Sequence, residues 1–148
     1  MLELVKNRDK PVFFIDESMY TVNQTTSSTW WFKGKDPPTV QRNALAFYGI
    51  SVIAAIDVKG KLVHTHIKQG AVNADDFNEF LDGLADKTNL KPCALYLDNL
   101  RAHHTAEVKE NAFYSQQELV FAGSYSSELN PIEALWCWSK PQFRKIIT

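Results

Sequence analysis

The chain has 148 residues with 16 basic and 17 acidic side chains, a formal net charge of −1, and 45% apolar residues. This length and composition are typical of one folded domain and exclude a disordered tail or a fibre. No run of 18 apolar residues occurs, and residues 1–10 form a charged leader, so neither a membrane span nor a signal peptide is expected. The near-zero charge argues against a general nucleic-acid coat protein. We therefore expect an intracellular protein without a membrane partner.

The two cysteines, Cys93 and Cys137, lie in apolar runs without CxxC or CxxH spacing. We expect both to be buried thiols of a protein that needs neither a disulfide framework nor structural zinc.

Strand patterns dominate the first half of the chain. Residues 11–18 (PVFFIDES) are apolar at successive positions, as in a strand buried on both faces of a sheet, and they end on acidic residues. Residues 19–42 are polar and contain a Pro-Pro pair, which predicts a long loop with one short strand at 29–32. Two further strands, 43–57 and 61–69, flank a glycine-containing hairpin turn.

Asn73 is typical of a helix N-cap, and four apolar residues follow at i, i+3, i+4 and i+7 spacing: Phe77, Phe80, Leu81 and Leu84. This pattern predicts a helix of about three turns. The helix connects to a short apolar strand at 93–98, and a crossover helix between strands implies that they pair in parallel.

The remaining segments predict a helix at about 105–114, a strand at 118–122 and a last helix from Pro131. We expect Pro141 to end that helix near Ser139 because proline lacks an N–H and clashes with the preceding turn. The resulting order, β-β-β-α-β-α-β-α, indicates an α/β protein with a mixed sheet and helices on both faces.

Three acidic residues lie where secondary structure changes: Asp16 at the C-terminal end of the first strand, Asp98 at the C-terminal end of the strand at 93–98, and Glu133 at the start of the last helix. Ligand sites form at the carboxyl ends of parallel strands, so the acids converge if their strands are neighbours. Close carboxylates repel one another unless a cation neutralises them, which favours a magnesium site. Repulsion also predicts that Asp98→Asn leaves the stability unchanged or mildly higher.

Each acid also has a structural interpretation. Asp16 can simply end a strand, and Asp98 with Asn99 forms a typical turn pair. The segment 130–133 (NPIE) has the sequence of a capping box, in which Glu133 stabilises the helix start. The two interpretations are compatible, since a helix N-terminus keeps a glutamate ionised.

Three segments resemble the catalytic domain of mariner-superfamily transposases and their bacterial insertion-sequence relatives: FFIDES (13–18), ALYLDNLRAHHT (94–105) and YSSELNPIEALW (125–136). Between Asp98 and Glu133 lie 34 residues, the spacing of many members. The resemblance implies a ribonuclease H-like fold and a DDE triad of Asp16, Asp98 and Glu133. It also implies two Mg²⁺ ions, for which Mn²⁺ can substitute, and no small-molecule cofactor.

The activity implied is metal-dependent cleavage of double-stranded DNA at transposon ends, followed by transfer of the freed 3′-hydroxyl into target DNA. The expected assembly is a homodimer on DNA. Asn99 is implied as a supporting polar residue. His104 stands near a histidine common in relatives, although a surface histidine at a helix start is an equal alternative.

Two features depart from the family. Ser127-Glu128 replaces the usual Pro-Asp, and only about ten residues precede the first strand, so the N-terminal helix-turn-helix region is expected to be absent. Residues 11–148 then form an isolated DDE catalytic domain. The alternatives are a general ribonuclease H-like nuclease, or a domesticated or truncated inactive remnant that binds DNA or a partner.

Several basic and aromatic residues are candidates for contacts with phosphates and bases: Trp30, Trp31, Lys33, Lys35, Arg42 and Arg101. For the lysines, a solvated surface is the simpler interpretation. Trp136 and Trp138 are expected to pack their helix. His64 and His66 alternate on one strand and share a face, but no third ligand lies nearby to complete a metal site.

Overall fold

The computed structural model describes residues 9–21, 33–34, 49–123 and 130–147. These residues form a five-stranded mixed sheet with the strand order β3-β2-β1-β4-β5. The strands are β1 (Val12–Thr21), β2 (Gly49–Asp57), β3 (Leu62–Gln69), β4 (Cys93–Leu97) and β5 (Gln117–Phe121). The helices are α1 (Ala74–Lys87), α2 (Ala106–Tyr114) and α3 (Glu133–Ile147), and a 3-10 turn spans Arg101–His104. The predicted α/β order is confirmed.

β2 pairs antiparallel with both β1 and β3, whereas β4 runs parallel to β1 and to β5. The expectation that α1 joins two strands that pair in parallel is wrong for β3 and β4, because β4 pairs in parallel with β1 and β3 lies at the sheet edge beside β2. None of the helices in the described ranges is long and apolar enough to cross a membrane.

The sheet has a packed apolar layer on each face because side chains alternate along its strands. Phe13 and Ile15 of β1 face the layer that contains α1 and α2. Val12 and Phe14 face the opposite layer, which contains Trp136 of α3. The central strands are thus buried on both sides, and among the helices of the described ranges α3 is the one that packs on the second face.

The start of α1 follows its sequence closely. The Asn73 side chain accepts a hydrogen bond from the Asp76 amide at 3.0 Å, and the Asp76 carboxylate accepts one from the Asn73 amide at 2.8 Å. The predicted apolar stripe is fully buried: Phe77, Phe80, Leu81 and Leu84.

β1 is longer than predicted, so Asp16 lies inside the strand and not at its end. The antiparallel ladder with β2 extends to Thr21, whereas the parallel ladder with β4 stops at Phe14. Pairing with β2 extends β1 beyond Asp16 and Glu17 to Thr21, into residues that their polar composition predicts to be a loop. The first part of the predicted strand at 43–57, residues 43–48, and the predicted strand at 29–32 lie outside the described residues.

The prediction that Pro141 ends the last helix is wrong, since α3 continues through Pro141 to Ile147. Proline removes only its own N–H from the helix. Packing beyond it offsets that loss, because the Phe143 ring lies 5.2 Å from the Tyr20 ring of β1. The Tyr20 hydroxyl also hydrogen-bonds Ser139 at 2.6 Å, one turn earlier.

Two further expectations about α3 are wrong: Cys137 is exposed, and Trp138 is 67% exposed. Successive helix residues are about 100° apart, so these two residues turn away from the face on which Trp136 is buried. Cys93, in β4, is fully buried as predicted.

Candidate active site

The register of the sheet brings Asp16 and Asp98 together. Val12 pairs with Ala94 and Phe14 with Tyr96, so the same register continued by two residues sets Asp16 beside Asp98. No β1–β4 backbone pairing is present at this level, because the ladder has already ended. The two acids therefore lie at the point where the central strands begin to separate.

Asn130 positions the third acid, Glu133, which is the first residue of α3. The buried Asn130 amide donates to the carbonyl oxygen of Ile15 at 3.1 Å, and its side-chain oxygen accepts from the Ile132 amide at 3.3 Å. Ile132 is itself fully buried. The helix start is thus attached to the backbone immediately before Asp16, which makes Asn130 a positioning residue as well as a cap. The return bond of a capping box, in which the Asn130 backbone N–H donates to the Glu133 carboxylate, is not formed in this part of the structure.

Trp136, one turn into α3, holds Asp16 directly. Its indole Nε1 donates to Asp16 Oδ2 at 2.8 Å. Burial raises the pKa of Asp16, and the negative charges of Glu133 and Asp98 add to this effect, while the Glu17 amide and Trp136 oppose it. Asp16 is therefore close enough to Glu133 and Asp98 to be repelled by both, and no cation of the described residues compensates it.

Asp98 has different surroundings. Its Oδ1 accepts a hydrogen bond from the Leu100 amide at 3.1 Å and lies 3.2 Å from His103 Nδ1. Burial alone would raise the pKa of Asp98, but the bonds from His103 and Leu100 outweigh it and lower the pKa. Both donors use Oδ1, which leaves Oδ2 without a donor from the described part of the chain.

His103 contacts two acidic residues of the site and is not singled out by the sequence. It is 1% exposed, its ring centre lies 4.2 Å from that of Phe77, and its Nε2 lies 2.9 Å from Glu17 Oε1. Burial lowers its pKa, but the hydrogen bonds to Asp98 and Glu17 dominate and raise it to about 9. The imidazolium therefore donates to both carboxylates. Sequence alone gives no means to choose between His103 and His104, because only burial separates them.

The two residues predicted to support the triad occupy the edge of the site. The Asn99 side chain donates to the carbonyl oxygen of Ala122 and so connects the end of β4 with the end of β5. His104 is exposed and stacks on Phe121, with ring centres 4.0 Å apart. A supporting role for His104 stays a prediction.

Of the candidates for DNA contact, Lys33 and Arg101 are exposed. Trp30, Trp31, Lys35 and Arg42 lie outside the described residues.

The two strand histidines share the face that packs on α1, as predicted. The His64 ring stacks on Phe80 at 5.2 Å, and His66 Nε2 lies 4.0 Å from Glu79 Oε2. Burial lowers the pKa of His64, with the charges of Lys87 and His66 adding to the effect. This environment is that of a packed histidine.

The triad has the right chemistry for a hard divalent cation. Carboxylate oxygens are the ligands that Mg²⁺ and Mn²⁺ prefer, and Asp16 is a buried carboxylate beside two further acids. In their present positions, no three His, Cys, Asp or Glu side chains of the described ranges are close enough to enclose an ion. Asp16, Asp98 and Glu133 are nonetheless the residues that could hold one here.

A family model described as DDE superfamily endonuclease matches residues 11–147. The chain belongs to this family. No curated protein matches its sequence.

Solved structures of Mos1 transposase share the fold of this family member. The paired-end complex with the left transposon end superposes with a TM-score of 0.69 at 15% identity, over 95% of this chain and 44% of that one. The catalytic domain of Mos1 mariner transposase superposes with a TM-score of 0.64 at 14% identity, over 96% of this chain and 64% of that one. The Mos1 catalytic domain with Raltegravir and Mg superposes with a TM-score of 0.65 at 14% identity, over 96% of this chain and 65% of that one. The chain thus spans less than two thirds of these proteins, and the ribonuclease H-like fold is confirmed.

Proposed function

We propose that this family member is the catalytic domain of a DDE transposase. It would cleave DNA at transposon ends and join the freed 3′-hydroxyl to target DNA. The observation that carries the proposal is that the sheet register sets Asp98 beside Asp16, while Glu133, at the start of α3, lies near enough to Asp16 to raise its pKa. Membership of the DDE superfamily endonucleases supports it.

The three carboxylates are the proposed metal ligands. Two Mg²⁺ ions bound there, or Mn²⁺ in their place, supply activation of an attacking oxygen and stabilisation of a leaving oxygen on phosphorus. The protein contributes alignment. Trp136 fixes one oxygen of Asp16, Asn130 fixes the start of the helix that bears Glu133, and Asp98 retains Oδ2 for a ligand.

Double-stranded DNA is the proposed substrate, both as transposon end and as target. Arg101 is exposed three residues after Asp98, where a guanidinium can bind a phosphate beside the acids. Lys33, with Trp30, Trp31, Lys35 and Arg42, is proposed to extend this contact surface. A homodimer on paired ends is the proposed assembly, with support from the paired-end complex that Mos1 forms.

The proposal is tested with the 148-residue chain and labelled duplexes that carry the repeats flanking its own reading frame, in Mg²⁺, Mn²⁺ or EDTA. We expect metal-dependent cleavage and joined products. Asp98→Asn should lower the rate by about a thousandfold or more, because metal-assisted catalysis supplies several kcal/mol. Asp86→Asn is the matched control, since Asp86 is an exposed aspartate of α1 remote from the site.

Other outcomes select the alternatives. Equal cleavage of unrelated duplexes without joined products would identify a general nuclease. DNA binding without any metal-dependent cleavage would identify an inactive remnant. Cleavage by Asp98→Asn at the wild-type rate would remove the triad assignment.

A further inference from the structure

We infer that His103 is the positioning residue of the second acid, and that it holds Asp98 at a fixed place relative to the strand that bears Asp16. The inference rests on the proposed function, because it assigns the support of a proposed metal ligand. It concerns a contact that neither the family match nor the fold likeness specifies.

The first observation is that both ring nitrogens of His103 face carboxylates from different elements. Nδ1 lies 3.2 Å from Asp98 Oδ1 and 3.4 Å from the Asp98 carbonyl oxygen, beyond the end of β4, and Nε2 lies 2.9 Å from Glu17 Oε1, within β1. A carboxylate only accepts hydrogen bonds, so each contact uses an N–H of the ring. One imidazole therefore connects β1 with the residue that follows β4.

The second observation is where this connection occurs. Backbone pairing between β1 and β4 ends at Phe14 and Tyr96, two residues before the acids. Past that point no ladder fixes the distance between the strands. The chain of contacts from Glu17 through His103 to Asp98 bridges the gap, and Glu17 is the immediate neighbour of Asp16.

The third observation is that the ring itself is immobilised. It is 1% exposed and packs against Phe77 of α1. Its backbone amide donates to the carbonyl oxygen of Leu100 at 3.1 Å, within the turn that also supplies the Leu100 amide to Asp98. A side chain held by the core and by its own turn can fix a partner that lies at a strand end.

Hydrogen-bonding partners of metal-ligating groups typically change metal affinity by about 10–100-fold when they are lost. Two conservative replacements separate the two contacts of His103. The amide nitrogen of asparagine reaches the place of Nδ1, and that of glutamine the place of Nε2. His103→Asn thus keeps the contact with Asp98, whereas His103→Gln keeps the contact with Glu17.

The test is calorimetric titration of the full chain with Mn²⁺ at one pH, together with thermal unfolding of each variant. We expect His103→Gln to weaken Mn²⁺ binding by about 10–100-fold. His103→Asn should rescue affinity to within about fivefold of wild type, although each variant loses one contact and both unfold at similar temperatures. Equal loss of affinity in the two variants, or no loss in either, would overturn the inference, because a merely structural role follows stability alone.

Two further variants keep the test decisive if both histidine variants unfold. Glu17→Gln keeps an oxygen acceptor for Nε2 and should bind Mn²⁺ as wild type does, whereas Glu17→Leu removes the acceptor and should bind about tenfold more weakly. Equal binding by these two would also overturn the inference.

Asp98→Asn separates this inference from the proposed function. If it binds Mn²⁺ as tightly as wild type, the proposed metal site is wrong. If it loses binding while His103→Gln does not, only the role of His103 is wrong.

Discussion

Asp16 and Asp98 occupy matching positions at the end of one parallel ladder, yet their surroundings act on them in opposite directions. Asp16 is held by a neutral donor, the indole of Trp136, and its pKa is raised by burial and by the other two acids. Asp98 is held by the His103 imidazolium, and its pKa is lowered despite burial. The sheet thus fixes where the carboxylates lie, and the layer packed on each side determines their charge.

This difference indicates how the proposed site would accommodate a divalent cation. The Asp16 side, with Glu133, carries negative charge that no protein cation contacts in the described ranges. The Asp98 side already has a cation, whose other nitrogen contacts Glu17. We therefore expect the electrostatic attraction for a metal to be strongest on the Asp16 side, with Asp98 as a preoriented second ligand.

The largest expected effect is a loss of stability with rising pH on the Asp98 side. The pKa of His103 in the folded chain, about 9, lies above its ordinary value of 6.5. Its contribution to the free energy of unfolding is therefore complete below pH 6.5 and is lost as pH rises through 9. The shift corresponds to roughly 3 kcal/mol. Denaturant unfolding of the metal-free chain should show the fall between pH 6.5 and 9.

His103→Asn is the control for this measurement. Because it has no titrating ring, its free energy of unfolding should not fall between pH 6.5 and 9. The series stops at pH 9 because burial raises the pKa of Cys93 to about 11, from 9.0, and adds a second loss at higher pH. If the free energy of unfolding of the wild type does not change between pH 6.5 and 9, no imidazolium compensates Asp98, and the contrast with Asp16 is wrong.

The next effect tests the Asp16 side. Trp136→Phe removes the indole donor and leaves space in a site where Trp136 is 4% exposed. We expect a loss of about 2 kcal/mol in the free energy of unfolding, from the lost bond to a carboxylate and the cavity together. Trp138→Phe, two residues later and 67% exposed, is the matched control and should change stability by less than about 0.5 kcal/mol. Similar losses in the two variants would contradict the role of Trp136.

The elements of this fold could be predicted because their signals are local. The Asn73 cap and the apolar stripe of α1 are complete within fifteen residues. The pairing of β4 with β1 is not implied by chain order, since α1 joins β4 to β3. The course of β1 beyond Glu17 could not be predicted, because pairing with β2 overrides a polar composition there. The continuation of α3 past Pro141 depends likewise on the contact between Phe143 and Tyr20.

For the site, the sequence supplies the acids and not their environment. Order and spacing select Asp16, Asp98 and Glu133 as candidates. The residues that control them are distant in sequence: Trp136 lies 120 residues from Asp16, and His103 lies 86 residues from Glu17. Trp136 is predicted only to pack, and nothing local distinguishes His103 from His104. Long-range contacts of this kind have no periodicity from which they can be read.

The smallest expected effect is the change in stability when either aspartate is replaced by asparagine. It tests the contrast between Asp16 and Asp98 most sharply, because the two replacements should change stability in opposite directions. In EDTA at pH 7, Asp16→Asn removes a charge that its surroundings disfavour while keeping an oxygen for Trp136. It should stabilise the chain by about 0.5–1 kcal/mol, the range of partly screened charge interactions. Asp98→Asn instead weakens the contact with His103, and because the Asp98 side chain is 36% exposed we expect a loss of only about 1 kcal/mol.

The sequence alone predicts that Asp98→Asn is neutral or mildly stabilising, because repulsion between the acids is then the only visible interaction. The contact with His103 reverses the expected change in stability for Asp98→Asn, so we expect a gain in stability for Asp16→Asn alone of these two variants. Unfolding of both variants beside Asp86→Asn, which should match wild type, decides between the two expectations. A gain in stability for both Asp16→Asn and Asp98→Asn would mean that mutual repulsion dominates the whole site and that the imidazolium does not compensate Asp98.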